Sequence, residues 1–430
     1  MNLHFWGSTD DVTGSMTFIE HKNKILMIDS GMAQGTSETN RINFLNTPID
    51  PKNIDAILIT HAHLDHSGYL PRIVKNGFRG EIYCTAPTAR LMEIILRDSA
   101  SINEEFYDAK DVSVAMSFVR VIAWDEEFQV GPFNIHFLPA GHILGASSIF
   151  IKTDEKTVLF SGDLGRSDDP ILPPYSPAPK ADIVIMESTY GSKNRVGDLK
   201  KDLHSFLATI SADVRVGIIA SFAVARAQTL LTLIHQFFED YPQYKVRVVA
   251  DSPMMKEANQ VYKRFAHLTK HPQDLFEAMS EIDMIDYQGE WESLKKKNGP
   301  LIILSSSGML TGGRIARHLE NWQDDKKAIL LLPGYQGKGT PGREFLEGNR
   351  VIKVDDKNTI HWSGEVWHSD AFSSHADQHE LINWIRPNNS NSSIYLLHGE
   401  TESKEKLKDK LSEIGIENVT IPKRGSIYSL

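Results

Sequence analysis

Short apolar runs that end at polar or turn-forming residues dominate the first 190 residues of the chain. Their β-branched character and their length predict buried strands, and each run is followed by polar or turn-forming residues. Polar residues at the carboxyl ends of such strands often form sites, because the sheet holds the connecting loops rigidly. The predicted strands cover residues 24–29, 56–60, 133–138, 158–160 and 183–186, and helices are predicted at 67–75 and 88–98.

The pattern changes after a proline-rich connector at residues 169–179. Beyond about residue 192, helical and strand periods alternate regularly, which predicts a parallel sheet and a second domain. The helices of this part are predicted at 199–210, 225–238, 254–265 and 315–321, and its strands at 215–220, 246–250, 301–304 and 328–332.

The pattern of short apolar runs that end at polar or turn-forming residues returns from about residue 371. It includes a predicted strand at 393–397 that ends at a histidine. We therefore predict one domain that is interrupted by another. The expected boundaries are 1–195 for the first part of the outer domain, 196–370 for the inserted domain and 371–430 for the rest of the outer domain.

Length, charge and cysteine content narrow the class of protein. The 430 residues suffice for two domains, and a net charge of −10 disfavours a broad basic face for nucleic acid. A local groove, or metal ions that supply positive charge, would still be compatible with it. One cysteine, no signal-peptide pattern and no apolar run of about 20 residues predict a cytoplasmic protein without a membrane partner.

Three imidazoles and one carboxylate lie within six residues, directly after the predicted strand at 56–60. Imidazole nitrogen and carboxylate oxygen are donors that zinc accepts in proteins. Burying four such groups without a metal would cost desolvation free energy with little return. On a tight turn, alternate residues can face one ion while the other two face a second. The four donors are His61, His63, Asp65 and His66.

Three further donors follow predicted strands or glycine-flanked turns, namely His142, Asp163 and His398. Together with the first four they make a coherent set for two metal ions. Asp163 is the bridging candidate, because a carboxylate has two oxygens. Asp29 ends another apolar run and is interpreted as a partner that orients an imidazole.

The order of these residues resembles the metallo-β-lactamase superfamily, and the second half of the chain resembles its β-CASP nucleases. The stretch Glu187-Ser188-Thr189-Tyr190-Gly191 is similar to motif A, Phe372-Ser373-Ser374-His375-Ala376-Asp377 to motif B, and His398-Gly399-Glu400 to motif C. Residues 305–314 resemble the glycine-rich stretch of the inserted β-CASP domain. The resemblance implies an α/β fold, an αββα sandwich interrupted by an α/β domain, with the site in the cleft between them.

The resemblance also implies hydrolysis of nucleic-acid phosphodiester bonds, and a histidine in motif C is typical of the RNA-cleaving branch. Single-stranded RNA is the expected substrate and two Zn²⁺ ions the expected cofactors. His61, His63 and His142 would bind one ion, Asp65, His66 and His398 the other, and Asp163 both. Two zinc ions roughly 3.5–4 Å apart can share a hydroxide that attacks phosphorus, which would leave 5′-phosphate and 3′-hydroxyl ends.

The expected catalytic residues beside the metal are Asp65, His375, Glu187 and Asp29. Motif B implies that His375 binds the scissile phosphate or protonates the leaving oxygen. Glu187 is expected to orient His398 through a hydrogen bond, as motif A does in relatives.

Small residues and one arginine precede the predicted helix at 315–321, and backbone N–H groups at a helix start suit phosphate. The expected RNA-phosphate contacts are Ser305, Ser306, Ser307, Gly308, Thr311, Gly312, Arg314, Ser221, Arg226 and His375. A glycine-rich loop at 334–342, which contains Lys338, is a candidate for a moving lip of the cleft.

Several alternatives stay open at the level of sequence. Thioesterases, lactamases and glyoxalase-type hydrolases share the first motif but lack the β-CASP insert, and flavo-diiron oxidoreductases carry glutamate where this chain has His63. An endonuclease is expected, but a 5′-exoribonuclease, a single-stranded DNA nuclease and a non-catalytic RNA-processing scaffold are alternatives. A homodimer is compatible with the sequence.

Overall fold

The computed structural model describes residues 1–35, 37–285, 294, 299–337, 339–353 and 359–430. Contacts between residues divide the chain into two compact units. Unit 1 consists of residues 1–194 and 374–430, and unit 2 consists of residues 195–373.

Unit 1 contains two mixed sheets that face each other. The first has the order β22-β1-β2-β3-β4-β5-β6, and its strands are β1 (Asn2–Phe5), β2 (Thr17–His21), β3 (Lys24–Ile28), β4 (Ala56–Leu58), β5 (Glu81–Thr85), β6 (Val119–Ile122) and β22 (Ile427–Ser429). The second has the order β21-β20-β11-β10-β9-β8-β7, and its strands are β7 (Glu127–Val130), β8 (Phe133–Pro139), β9 (Ser147–Lys152), β10 (Thr157–Phe160), β11 (Ile183–Glu187), β20 (Ser393–Leu397) and β21 (Val419–Thr420).

Alternate residues of both sheets form the core between them. Leu3, Ile19 and Leu26 come from the first sheet, and Phe133 and Ile149 come from the second. Because side chains alternate across a strand, the other face of each sheet is left for helices.

Helices cover the outer faces of the two sheets. Against the first sheet lies α4 (Ala86–Ile102), and α5 (Ala109–Ser117) packs between it and α3 (Leu70–Lys75); against the second lies α13 (Thr401–Glu413), and α12 (Gln378–Asn389) precedes β20. Two single-turn helices, α1 (Ser37–Asn40) and α2 (Leu64–Ser67), belong to the loops of the first sheet. This arrangement is the αββα sandwich, so the predicted fold class is confirmed.

The direction of the strands positions the predicted site. Strands β10, β11 and β20 are parallel neighbours, and β8 runs the same way because two antiparallel pairings separate it from β10. The loops that follow these four strands therefore leave the same edge of the sheet.

In the described part of unit 2, six parallel strands form a sheet with the order β14-β13-β15-β12-β16-β19. They are β12 (Val216–Ala220), β13 (Arg247–Asp251), β14 (Asp283–Met284), β15 (Leu301–Ser305), β16 (Ala328–Pro333) and β19 (Glu365–Ser369), and β17 (Val351–Lys353) pairs with β18 (Thr359–His361). The helices of this unit are α6 (Leu199–Ala212), α7 (Arg226–Asp240), α8 (Pro253–Arg264), α9 (Pro272–Glu281), α10 (Arg314–Trp322) and α11 (Pro341–Leu346).

Two apolar clusters cover the two faces of this sheet. One contains Phe206 of α6 and Phe237 of α7, and the other contains Ile315 and Leu319 of α10. The parallel sheet predicted from the alternating pattern is thus present.

Candidate active site

The loops that follow four strands of unit 1 carry the seven predicted metal donors. His61 and His63 follow β4, and Asp65 and His66 belong to α2, a one-turn helix rather than the expected simple turn. His142, Asp163 and His398 follow β8, β10 and β20. The structure brings all seven together, and their donor atoms form two neighbouring groups, His61, His63, His142 and Asp163 in one and Asp65, His66 and His398 in the other.

The first group joins three imidazole nitrogens. His63 Nδ1 lies 3.1 Å from His61 Nε2 and 3.2 Å from His142 Nε2. Two nitrogens bound to one zinc at about 2.0–2.1 Å with tetrahedral angles would be roughly 3.3–3.4 Å apart. The observed spacing is therefore that of ligands around a common ion.

One hydrogen bond at His63 Nδ1 accounts for only one of these two contacts. The Nδ1 of His63 has one lone pair, so it can accept a proton from only one of its two neighbours. A cation between the rings would satisfy all three lone pairs, so the residues present fit a metal ion.

The second group combines an acid with two imidazoles. His398 Nε2 lies 3.1 Å from His66 Nε2 and 3.3 Å from Asp65 Oδ2. One carboxylate and two imidazoles are suitable donors for zinc.

Asp163 lies between the two groups. Its Oδ2 is 3.6 Å from His61 Nε2 and 3.7 Å from His142 Nε2. Its Oδ1 is 3.3 Å from His66 Nε2. Each carboxylate oxygen therefore faces a different group, which is the geometry of a bridging ligand.

Burial and charge give the two groups different protonation. Burial lowers the pKa of His63 to about 4, although Asp65 and Asp163 oppose it. Burial also lowers the pKa of His61 and of His142 well below the usual value. These three rings are therefore neutral at pH 7, as metal binding requires.

His66, in contrast to these three rings, has a raised pKa. Burial lowers the pKa of this ring, but Asp163 and Asp29 outweigh burial and raise the pKa well above its usual value. For Asp163, burial raises the pKa of the carboxyl, but the charges of His398 and His66 hold it well below its usual range. Asp163 is thus an ionised carboxylate beside the cationic imidazole of His66, and a metal ion can replace the proton on that imidazole.

Asp29 and Thr60 orient the rings from behind. The Oδ2 of Asp29 is 2.7 Å from His66 Nδ1, and the same carboxylate accepts hydrogen bonds from the N–H and the hydroxyl of Thr60. Because the Thr60 hydroxyl donates to Asp29, its oxygen can accept the Nδ1 proton of His61, 3.1 Å away. Asp29, interpreted from the sequence as a partner that orients an imidazole, lies beside His66, and sequence reasoning missed Thr60 at the end of its apolar run.

An isolated antiparallel β-bridge between Gly165 and His375 holds His375 beside the loop that follows β10. Its ring centroid is 4.4 Å from that of His142. Its Nδ1 lies 3.3 Å from Glu187 Oε2, and Glu187 Oε1 accepts the N–H of Leu164. Burial lowers the pKa of His375, but the charge and hydrogen bond of Glu187 outweigh burial and raise it above its usual value.

The expected hydrogen bond from Glu187 to His398 is not formed. Both oxygens of Glu187 are directed to Leu164 and His375, and the Nδ1 of His398 lies instead 3.1 Å from Thr189 Oγ1. Sequence reasoning missed Thr189, and its place two residues after Glu187 in motif A was the available signal.

The predicted phosphate loop of unit 2 follows β15, beside the end of β12. Ser221 N–H donates to Ser305 O, which joins the two strand ends. The hydroxyl of Ser305 is buried and donates to the carbonyl of Asp251, so it is not directed to solvent. Ser306 and Ser307 are half-buried.

The two predicted arginines have internal partners. Arg314, the first residue of α10, forms an ion pair with Asp251, and Arg226 Nη1 donates to Pro333 O at 2.6 Å. Gly312 has φ +87°, which favours glycine, and Thr311 beside it is exposed. Lys338 of the predicted mobile loop lies outside the described residues.

A cluster of histidine and aspartate at one edge of an αββα sandwich defines a metal-dependent hydrolase of the metallo-β-lactamase class. Matches of the sequence to models of known families support this class of protein. The metallo-beta-lactamase superfamily model matches residues 9–211, the Beta-Casp domain model matches 227–345, and the Zn-dependent metallo-hydrolase RNA specificity domain model matches 360–422.

Named relatives extend over nearly the whole chain. A ribonuclease of Thermus thermophilus is 31% identical over 94% of this chain and 94% of its own length. An RNase J-like protein of Methanocaldococcus jannaschii is 32% identical over 93% and 92%. The cleavage and polyadenylation specificity factor subunit 3-I of Arabidopsis thaliana is 26% identical over 94% of this chain and 60% of that longer protein.

The chain therefore belongs to the β-CASP ribonuclease family of the metallo-β-lactamase superfamily. It is a metal-dependent hydrolase that acts on RNA. A solved structure of a protein of unknown function from Enterococcus faecalis V583 has a TM-score of 0.59 at 16% identity, covers 100% of this chain and 99% of its own, and shares the fold. Within the described ranges, helices that are long and apolar enough to cross a membrane are absent.

Proposed function

We propose that this protein is a two-zinc endoribonuclease that hydrolyses single-stranded RNA and leaves 5′-phosphate and 3′-hydroxyl ends. The observation that carries the proposal is Asp163, whose two oxygens face two separate groups of donors at 3.3 to 3.7 Å. A single-metal site would have no use for a buried carboxylate with this orientation.

The donor chemistry decides how the ions would be held. His61, His63 and His142 would hold one ion, Asp65, His66 and His398 the other, and Asp163 both. When bound, zinc lowers the pKa of water to about 7 and offsets the negative charge of a phosphate. Nitrogen-rich sites of this kind suit zinc better than magnesium or calcium, which prefer oxygen ligands.

His375 is the proposed general acid for the leaving oxygen. Its Nδ1 lies 3.3 Å from Glu187 Oε2, and its ring centroid lies 4.4 Å from that of the metal donor His142. A raised pKa keeps a larger fraction of the ring protonated near neutral pH, as proton donation requires. Glu187 supports that charge, so its catalytic contribution acts through His375.

RNA phosphates would contact the loop after β15 through the half-buried or exposed groups of Ser306, Ser307, Thr311 and Arg314. Ser305, Gly308 and Gly312 would shape this loop, and Ser221 and Arg226 would hold its neighbours. A homodimer and a cytoplasmic location belong to the same proposal. Light scattering of purified protein and cell fractionation test them.

Asp163→Ala tests the central claim. We expect loss of RNA cleavage and of at least one of two bound zinc ions, with an unchanged circular dichroism spectrum. Cleavage at the wild-type rate by this variant would refute the proposal.

Product analysis separates the modes of attack. Wild-type protein acting on 5′-labelled single-stranded RNA should release internal fragments with 5′-phosphates. Released mononucleotides would indicate 5′-exonuclease action, and equal cleavage of matched single-stranded DNA would indicate a general nuclease.

A further inference from the structure

The two ring nitrogens of His398 have different surroundings. Nε2 faces the metal donors, at 3.1 Å from His66 Nε2 and 3.3 Å from Asp65 Oδ2. Nδ1 lies 3.1 Å from Thr189 Oγ1, with Asp163 Oδ1 farther away at 3.5 Å. The side of the ring away from the second donor group is therefore in contact with a hydroxyl group.

The Thr189 hydroxyl has a defined direction. It is 3.2 Å from the backbone carbonyl of His398, to which it donates its only proton. Its oxygen can then act towards Nδ1 only as an acceptor. This arrangement favours the tautomer of His398 that carries its proton on Nδ1 and keeps the Nε2 lone pair for a metal ion.

The backbone holds Thr189 and His398 in register. Ser188 N–H donates to His398 O at 3.0 Å, and the Ser188 hydroxyl donates to Leu397 O at 2.6 Å. A Cβ on Gly399 would lie 2.4 Å from the Ser188 oxygen, so only glycine permits this approach. Because both strand ends are fixed, the hydroxyl is preorganised against the ring.

We propose that Thr189 is a positioning residue that sets the tautomer of His398. It thereby sets the affinity for zinc of the second donor group, Asp65, His66 and His398. The inference rests on the proposed two-zinc function. It goes beyond motif A as represented by Glu187, whose carboxylate serves His375. Outer partners of metal-binding histidines typically change metal affinity about 10–100-fold when they are removed.

Two substitutions at the position separate the hydroxyl from the shape of the side chain. Thr189→Val keeps the volume and removes the hydroxyl, and Thr189→Ser keeps the hydroxyl. Thr232→Val is the matched control, because the buried Thr232 hydroxyl also donates to a backbone carbonyl, that of Gln228, far along the chain from the donors.

Zinc affinity of each protein is measured by competition with a chromogenic chelator, which requires no RNA. We expect Thr189→Val to weaken the binding of one of the two zinc ions about 10–100-fold. Thr189→Ser and Thr232→Val should stay within about threefold of the wild type, since neither removes the acceptor for Nδ1–H.

Nitrogen-15 NMR of ring-labelled histidine in the zinc-loaded protein reports the tautomer directly, with His398→Gln used to assign the signal. The wild type should show a slowly exchanging Nδ1 proton on His398, and Thr189→Val should exchange it faster. Coordination through Nδ1 in the wild type would overturn the inference even if the valine variant did not fold.

The outcomes also separate this inference from the proposed function. Wild-type protein that binds fewer than two zinc ions contradicts the two-zinc function itself. Two ions bound equally tightly by the wild type and by Thr189→Val contradict only the role of Thr189.

Discussion

At this site, some side chains contribute a negative charge and others contribute only a neutral lone pair. His61, His63 and His142 are buried and neutral, so they offer lone pairs without competing protons. Asp163 stays ionised, because cationic neighbours outweigh its burial. A metal site needs both kinds of group, since neutral rings alone would not offset the charge of two divalent ions.

His375→Gln should slow RNA cleavage about 10²–10⁴-fold, which is the usual contribution of a general acid. Zinc content should be unchanged, because His375 is not one of the seven metal donors and its Nδ1 faces Glu187 at 3.3 Å. The variant should cleave an aryl phosphodiester at nearly the wild-type rate, because that leaving group needs no proton. Steady-state rates on both substrates provide the measurement.

The exposed His379 on the same segment supplies the control, and His379→Gln should match the wild type on both substrates. An equal loss by His375→Gln on RNA and on the aryl ester would show that His375 does not act as the acid.

Asp251→Asn should destabilise unit 2 by about 1–3 kcal/mol near pH 7, because it removes an acceptor shared by Arg314 and His318. Burial raises the pKa of the Asp251 carboxyl, but hydrogen bonds and charges from these two residues hold it below its usual value. A lowered folded-state pKa stabilises above the unfolded value of about 3.9, and this contribution disappears as the pH falls through the folded value. The difference between variant and wild type should therefore shrink in acid.

Hydrogen exchange of peptides from α10 and β13 measures this difference at each pH. The exposed pair of Arg343 and Glu347 gives the control, and Glu347→Gln should change stability by less than about 1 kcal/mol. A difference for Asp251→Asn that stays constant down to about pH 3 would contradict the assigned role of its charge.

Loops between strand and helix carry the next level of organisation, and the loop from β15 to α10 depends on one glycine. A Cβ on Gly308 would lie 3.0 Å from the backbone nitrogen of Phe222 and 3.0 Å from its ring. Gly308→Ala should therefore strain the loop by about 1–3 kcal/mol and weaken single-stranded RNA binding, with zinc content unchanged.

Gly337→Ala is a matched control, because its Cβ would meet nothing closer than 3.5 Å. Thermal unfolding and fluorescence anisotropy with labelled RNA measure both effects. Equal RNA affinity of the two alanine variants would argue against a role for this loop in binding.

Sequence periodicity located most elements of both units to within a few residues. The predicted helix at 199–210 is Leu199–Ala212, and the predicted strand at 393–397 is Ser393–Leu397. The exceptions are short: Asp65 and His66 lie on a one-turn helix that is too brief to leave a 3.6-residue period. Orienting hydroxyls such as Thr189 were also missed, because threonine at a strand end has many ordinary uses.

At the scale of the whole molecule, strands that are distant in the chain pair with each other. This pairing could not be predicted from the local pattern of apolar and polar residues. The last strand, Ile427–Ser429, pairs with β1, and β20 pairs with β11 across about two hundred residues of chain. Strand periodicity gives the face of each residue but not its partner strand. The donor set could still be found, because parallel strands deliver their following loops to one edge.

Zinc removal should loosen unit 1 and leave unit 2 unchanged, because all seven donors belong to unit 1. Without metal, the lone pairs of His61, His63 and His142 lie together without a cation, whereas bound zinc at 100 times its Kd stabilises the folded state by about 2.7 kcal/mol per site. Chelator treatment should thus speed hydrogen exchange in residues 56–67 and after β20, while α7 and α10 keep their protection. Zinc should restore protection and magnesium should not, because magnesium prefers oxygen ligands. Uniformly faster exchange in both units, or full recovery with magnesium, would mean that the nitrogen-rich site is not what the metal stabilises.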